Sequence, residues 1–176
     1  MPRQRHVELN EATSNAIKDT ARKLMAEKGT AGLSLRAIAR ELKMTAPALY
    51  HYFPSLDDLI TALIVDAFTA HAAYVRQTSD AAAQAGASTT EQLWAALLAY
   101  RRWALKQPID FQLIYGNPIP GYSAPAAVTV PAASLLGELF MALIMAACRR
   151  RSAHSCFLPS GAAHCFRTLP GAVWFR

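Results

Sequence analysis

The most constraining feature of this sequence is a pair of short amphipathic segments separated by only two residues. The first follows Ser34, a residue type that caps helices, and its apolar side chains recur at helical spacing. The second starts at Thr45 and has Pro47 in its first turn, where a missing N–H costs nothing. Because only Lys43 and Met44 connect the segments, the two helices must cross in the arrangement of a helix-turn-helix.

The second helix of this pair has two different faces. Leu49 and Phe53 lie four residues apart and are expected to face inward, against the first helix. The opposite side presents small residues at the N-terminal end and hydrogen-bonding aromatic residues behind them: Ala46, Pro47, Tyr50 and His51. Small residues let a helix approach base edges, and Tyr, His and the partly positive helix N-terminus can contact phosphates. The pattern favours a DNA-binding surface.

The rest of the chain also indicates helices, with no alternating strand pattern. Capping residues, Gly and Pro mark the expected boundaries. The predicted helices run from near Asn10 to Gly29, from Ser55-x-x-Asp58 toward Gly86, from Ser88-x-x-Glu91 to Lys106, from Pro108 to Tyr115, and from Pro131 to Cys148. We therefore predict an all-α fold, in which a three-helix N-terminal head is joined by a long fourth helix to a helical body.

Composition bounds the class of protein but does not identify it. The chain has 176 residues, of which 53% are apolar and 17% charged, so it can bury a core and is not globally disordered. Its net charge is +6. Residues 149–176 contain five Arg and no acidic residue, and hold most of that excess. Net charge alone is thus weak support for DNA binding.

The apolar stretch Pro131 to Cys148 has the length of a short membrane segment and is followed by three arginines. However, Glu138 lies near its middle, where a charge costs about 2.5–3.5 kcal/mol on the insertion scale. We therefore expect a buried core helix and no membrane association.

The cysteines indicate a reduced, cytoplasmic protein. Cys148, Cys156 and Cys165 have no Cys-x-x-Cys spacing, and no apolar signal segment follows Met1. Combined with nearby histidines, the last two cysteines fit no usual zinc pattern. We expect no metal site and no cofactor.

The helix-turn-helix resembles the DNA-binding head of TetR/AcrR-type transcriptional regulators. The match lies in Ser34-Leu35-Arg36-Ala37-Ile38-Ala39 and in Thr45-Ala46-Pro47-Ala48-Leu49-Tyr50-His51-Tyr52-Phe53. The resemblance implies a homodimeric repressor that places two third helices in successive major grooves of a palindromic double-stranded DNA operator. It implies DNA contacts by Ser34, Arg36, Thr45, Ala46, Pro47, Tyr50, His51 and Tyr52. One departure is Leu56, where the family usually has a phosphate-contacting Lys.

The body resembles the ligand domain of many actinobacterial members of that family, which implies a small-molecule effector that releases the DNA. The candidate ligand residues are Trp94, Tyr100, Trp103, Phe111, Tyr115 and Met141, although core packing also explains each one singly. The set suits an apolar ligand. The expected division is residues 1–54 for DNA binding, 55–148 for ligand binding and dimerisation, and 149–176 as an atypical tail of unknown fold. We expect the tail to be a truncated or out-of-frame end, because no usual final helix is recognisable there.

Two other functional classes remain to be compared. An enzyme is disfavoured because the sequence contains no Gly-rich phosphate loop, nucleophile elbow or recognisable pair of catalytic carboxylates. A constitutive DNA-binding protein without a ligand response is the alternative to a ligand-responsive repressor. Dimerisation is expected through the helix from Pro131 to Cys148, which has more apolar surface than one face of a bundle needs.

Overall fold

A computed structural model describes residues 2–116 and 119–154, with side chains for 9–30, 32–116 and 119–149. The all-α prediction is confirmed. The helices are α1 (Pro2–Lys28), α2 (Leu35–Glu41), α3 (Ala46–Tyr52), α4 (Leu56–Gln84), α5 (Thr89–Lys106), α6 (Pro108–Tyr115) and α7 (Ala126–His154). A short 3₁₀ turn, Thr30–Gly32, connects α1 to α2.

The local capping signals fix most helix starts. Ser34 Oγ accepts a hydrogen bond from the backbone N–H of Ala37 at 3.2 Å and caps α2. Both predicted capping boxes form, within residues 55–58 and 88–91, so each of these helices has its first N–H groups satisfied by a side chain. Thr45 occupies the N-cap position of α3, but its side chain makes no capping hydrogen bond.

Two predicted helix boundaries were wrong. Helix α1 begins at Pro2 rather than near Asn10. Helix α7 begins before Pro131, includes this proline, and passes Cys148 without a break. Pro131 leaves the carbonyl of Ala127 without its i+4 donor, a single lost bond that lies near the helix start. The expected boundary after residue 148 therefore falls inside a helix.

The head and the body share one continuous core at their junction. Helices α1, α2 and α3 enclose buried residues such as Ile17, Ile38 and Leu49. Ile109 and Leu113 of α6 pack against the same cluster, which also contains the first turns of α4. The head therefore packs directly against the body and is not joined to it by a linker alone.

Helix α7 is not the buried core helix that its composition predicted. Leu136 and Leu139 pack inward, against α4 and α5. On its other side Met141, Ile144 and Met145 are exposed by 60%, 42% and 48%. The reason is that, among the helices that the structure describes, α7 packs on α4 and α5 along one side only, while its sequence is apolar on both sides.

By length and composition, α4 and α7 could each span a membrane, with mean hydropathies of 1.3 and 1.8 in their most apolar windows. In α4, 44% of that window is buried against the rest of the chain, as expected of a central helix in a bundle; in α7 the share is 17%.

Candidate nucleic-acid interface and internal cavity

The turn between α2 and α3 holds the third helix out from the head. Lys43 adopts a positive φ of 54°, and its N–H donates to the Arg40 carbonyl at 3.2 Å. The Met44 N–H donates to the Ala39 carbonyl at 2.9 Å. These bonds reverse the chain within two residues, as the spacing predicted. Lys43 is itself exposed just before α3, a cation that the sequence analysis did not include among the candidate contacts.

The predicted inward and outward faces of α3 are those of the structure. Leu49 and Phe53 are buried, with exposed fractions of 1% and 7%. Pro47, Tyr50 and His51 are exposed, and the Tyr50 side chain is 44% accessible. The outer face of α3 therefore offers one proline and two aromatic polar side chains to a partner.

The other candidate DNA contacts differ in exposure. Ser34, Arg36 and Thr45 are exposed near the starts of α2 and α3, and Ala46 is half-buried. Tyr52 is half-buried against the core of the head, and its hydroxyl donates to Asn10 Oδ1 at 3.1 Å. Its hydroxyl is thus occupied in joining α3 to α1.

Leu56, the departure from the family pattern, begins α4 and packs partly against the core of the head. A lysine there would give up this apolar contact. Exposed cations elsewhere on the helix-turn-helix include Arg36 and Lys43.

A cavity of about 530 Å³ lies in the body between α4, α6, α7 and the loop before α7. Its walls are mainly apolar, and they include Ile64, Phe68, Leu113, Ile114, Tyr122, Val130 and Ala133. The Tyr122 hydroxyl lies 2.9 Å from the Thr61 hydroxyl, which fastens the loop to α4. A space of this size, with a predominantly apolar lining, fits a small apolar molecule.

None of the six candidate ligand residues lines this cavity. Trp94 and Met141 lie on α5 and α7, where they are 62% and 60% exposed. The other four, Tyr100, Trp103, Phe111 and Tyr115, surround the imidazole of His71. Aromatic composition located this cluster, but the cavity walls are largely aliphatic and gave no comparable signal.

His71 is fully buried on α4, and it was not identified from the sequence. Its ring stacks on Trp103 with centroids 4.2 Å apart and planes 9° apart, and Tyr100 lies at 4.6 Å. Neither ring nitrogen has a hydrogen-bond partner of good geometry among the described residues. Burial lowers the pKa of His71 from 6.5 to about 4, an effect that the backbone of Tyr100 partly offsets. The imidazole is therefore neutral at pH 7.

An ion-pair network joins the head to the body. Arg22 Nε on α1 donates to Asp110 Oδ1 on α6 at 2.8 Å. Lys18 Nζ donates to Asp66 Oδ2 on α4, also at 2.8 Å, and Arg22 Nη2 lies 4.0 Å from the same oxygen. Asp110 is 8% exposed. Helix α1 is thus held by charged contacts to both α4 and α6.

Within the described residues, no group of three or more His, Cys, Asp or Glu side chains is placed to hold a metal ion. The side chains of Cys156, Cys165, His154 and His164, considered above for zinc, lie outside the described part of the chain.

Two family models match the chain, one over each half. Residues 17–63 match the family described as "Bacterial regulatory proteins, tetR family", and residues 93–173 match "Tetracyclin repressor-like, C-terminal domain". The chain belongs to the tetR family of bacterial regulatory proteins. The first match contains the helix-turn-helix described above, and the second runs well past residue 148, where the sequence analysis had ended the resemblance. The family consists of regulatory proteins, which confirms that the chain is not an enzyme.

Relatives and solved structures agree with this assignment. The HTH-type transcriptional regulator Rv1816 of Mycobacterium tuberculosis is 40% identical over 72% of this chain. The match covers 54% of that relative, so the chain spans about half the length of the curated relatives it matches. The crystal structure of the regulatory protein SCO4313 is 38% identical and superimposes with a TM-score of 0.67 over 88% of this chain and 70% of the other.

A more distant structure supports the fold alone. The TetR family transcriptional regulator PfmR from Thermus thermophilus is 22% identical, with a TM-score of 0.60 over 82% of this chain and 75% of that one.

The first prediction concerns the Arg22–Asp110 ion pair. Asp110→Asn is expected to lower the free energy of unfolding by about 1–2 kcal/mol, because it removes the most shielded of the carboxylates that pair with the Arg22 guanidinium. Asp19→Asn is the matched control: Asp19 also pairs with Arg22, but its side chain is 77% exposed, so its loss should change stability by less than about 0.5 kcal/mol. Urea denaturation followed by circular dichroism measures both, and equal effects would contradict the assignment.

The second prediction concerns the neutrality of His71. Its pKa is lowered from 6.5 to about 4, so between these values the unfolded chain binds a proton that the folded chain does not. Lowering the pH from 7 to 5 should therefore reduce the free energy of unfolding of the wild type by about 2 kcal/mol more than that of His71→Phe. The variant keeps a ring beside Trp103, and the other histidines are common to both proteins. Parallel pH dependences in urea denaturation would show that His71 is not buried as a neutral group.

Proposed function

We propose that this protein is a cytoplasmic transcriptional repressor that binds a palindromic operator as a homodimer and is released by a small apolar effector. The observation that supports DNA binding most directly is the outer face of α3. Pro47, Tyr50 and His51 are exposed there while Leu49 and Phe53 anchor the helix from behind. A rigidly held helix with exposed hydrogen-bonding side chains is what major-groove recognition requires.

The proposed DNA contacts form two groups, one on the outer face of α3 and one of cations beside it. Tyr50 and His51 lie on the recognition face of α3, with Ala46 and Pro47 allowing close approach at its N-terminus. Arg36 and Lys43 are exposed cations that can neutralise flanking phosphates. We assign Tyr52 a supporting role through its bond to Asn10, in addition to any contact it makes with DNA.

The exposed side of α7 supports dimerisation. Met141, Ile144 and Met145 form an apolar stripe on the side of the helix that faces away from α4 and α5. A contiguous apolar surface of this kind marks an interface in a soluble protein. A two-fold dimer would bury the stripe against its own copy. Leu139 lies on the opposite side, within the core of its own chain, and does not belong to this surface.

The position of α6 supports a ligand response over constitutive binding. Leu113 and Ile114 of α6 line the cavity, and Asp110 of the same short helix holds Arg22 on α1. A molecule that binds the cavity and displaces α6 therefore acts on the head through a direct contact. On this proposal residues 1–54 bind DNA and 55–148 bind the effector and the second copy, with α7 continuing into residues 149–176.

The third prediction tests the recognition helix. Tyr50→Ala should weaken binding to a duplex selected from a random-sequence library by about 1–3 kcal/mol, the usual cost of a lost base or phosphate contact. Trp94→Ala is the matched control, since Trp94 is also an exposed aromatic residue but lies on α5. Fluorescence anisotropy with the labelled duplex measures both. Equal affinities for the wild type and Tyr50→Ala, with unchanged circular dichroism, would contradict the assignment.

The fourth prediction tests the dimer. Met141→Glu should shift sedimentation of the protein from dimer toward monomer at micromolar concentration, because it places a charge in the centre of the proposed interface. Leu98→Glu, which changes a 49% exposed leucine on α5, should leave the dimer intact. If both variants sediment like the wild type, the α7 stripe is not the interface.

A further inference from the structure

The aromatic cluster around His71 is continuous with the cavity along α4. Ile64 and Phe68 line the cavity, and His71 lies three residues beyond Phe68. Residues spaced by three and four lie on one face of a helix. The side of α4 that forms a cavity wall therefore leads directly to the imidazole.

His71 is chemically mismatched to its surroundings. It is fully buried, neither of its ring nitrogens has a hydrogen-bond partner of good geometry among the described residues, and its neighbours are aromatic rings. An unsatisfied buried polar group costs stability that an aromatic hydrocarbon side chain at the same position would not cost. Such a group calls for a partner that the described part of the chain does not supply in good geometry.

Tyr115 contacts both His71 and the cavity-lining residue Phe68. The ring of Tyr115 packs edge-to-face on Phe68 at 5.8 Å and on His71 at 6.0 Å. Tyr115 is the last residue of α6 and is 43% exposed, whereas Trp103 in the same cluster is 4% exposed. Displacing Tyr115 therefore exposes less apolar surface than displacing Trp103.

We propose that His71 is the polar contact of the effector site, and that it hydrogen-bonds the hydroxyl group of an uncharged apolar ligand once Tyr115 has moved aside. The ligand body occupies the 530 Å³ cavity and its hydroxyl reaches past Phe68 to the imidazole. This inference rests on the proposed function, because it assumes that the cavity binds the effector.

The chemistry of the cluster selects an uncharged hydroxyl compound. A neutral imidazole offers one donor and one acceptor, and a hydroxyl group can pair with either. Burial, rather than a neighbouring charge, dominates the pKa of His71, so a charged ligand would lose its hydration there without meeting a counter-charge. A pure hydrocarbon would fill the cavity but leave the imidazole unpaired.

The test uses two probes that differ only in the hydroxyl group, para-propylphenol and propylbenzene. Isothermal titration gives the affinity of each probe for the full-length wild type and for His71→Phe. The wild type should prefer the phenol, and this preference should fall by at least about fivefold in the variant, the value of one neutral hydrogen bond. The ratio of the two probes within each protein cancels general changes in cavity shape.

A second measurement, by NMR, uses only the wild-type protein and so does not depend on the folding of a variant. In the wild type, the ¹⁵N resonances of the His71 ring should shift on addition of para-propylphenol and shift much less with propylbenzene. If the probes shift the ring equally, or if the preference for the phenol is unchanged in His71→Phe, His71 is not the polar contact.

Methyl resonances of Ile64 and Leu113 distinguish that failure from failure of the proposed function. If these methyls respond to both probes while His71 does not discriminate between them, the cavity binds apolar ligands and only the role of His71 is overturned. If neither probe shifts the methyls at millimolar concentration, the cavity is not a ligand site, and both proposals fall.

Discussion

The ion pair between Arg22 and Asp110 is the shielded charged contact across the junction of head and body, beside the apolar core that the two parts share. It joins α1 of the head to α6 of the body at 2.8 Å, and it is shielded from solvent on the Asp110 side. Surface ion pairs contribute little to stability, but a shielded carboxylate held by a guanidinium fixes the geometry of both groups. Together with the contact of Lys18 to Asp66, it makes the orientation of the head depend on where α4 and α6 lie.

Helix α6 is only eight residues long, so its contact with the head and its contact with the cavity move together. One side, with Ile109 and Leu113, packs on the core of the head, while Leu113 and Ile114 form a wall of the cavity. Its last residue, Tyr115, contacts both Phe68 and His71. A ligand can shift the orientation of the head only to the extent that it binds one position of α6 better than the other. Because Tyr115 lies at the end of α6 and contacts the cavity-lining Phe68, a ligand can bind with different affinity to different positions of α6.

The parts of this structure that could be predicted from sequence are those set by neighbours in the chain. The helix-turn-helix, both capping boxes and the faces of α3 depend on residues within four positions of one another, and each was confirmed. The Arg22–Asp110 pair could not be predicted, because 88 positions separate its members and many other charged pairings were equally compatible with the sequence.

The candidate ligand residues also show that sequence patterns do not predict contacts between distant parts of the chain. Aromatic residues at helical spacing indicate a cluster but not which space they enclose. Tyr100 and Trp103 both contact His71, whereas none of the six candidates lines the cavity. His71 gave no signal, because a lone histidine in an apolar helix has the same pattern whether or not it is paired. The composition of α7 predicts surplus apolar surface, but not which side of the helix is exposed, because the helix is apolar all round and only tertiary packing distinguishes the inner side.

On the proposed function, occupancy of the cavity acts on the DNA-binding head through Asp110. This coupling is tested most directly by measuring the operator dissociation constants of the wild type and Asp110→Asn, each with and without saturating para-propylphenol. The account predicts that the probe weakens operator binding of the wild type about tenfold or more and that of the variant by less than about threefold, since coupling between sites is commonly about 5–150-fold and here requires the ion pair. An equal response of the two proteins to the probe would contradict it.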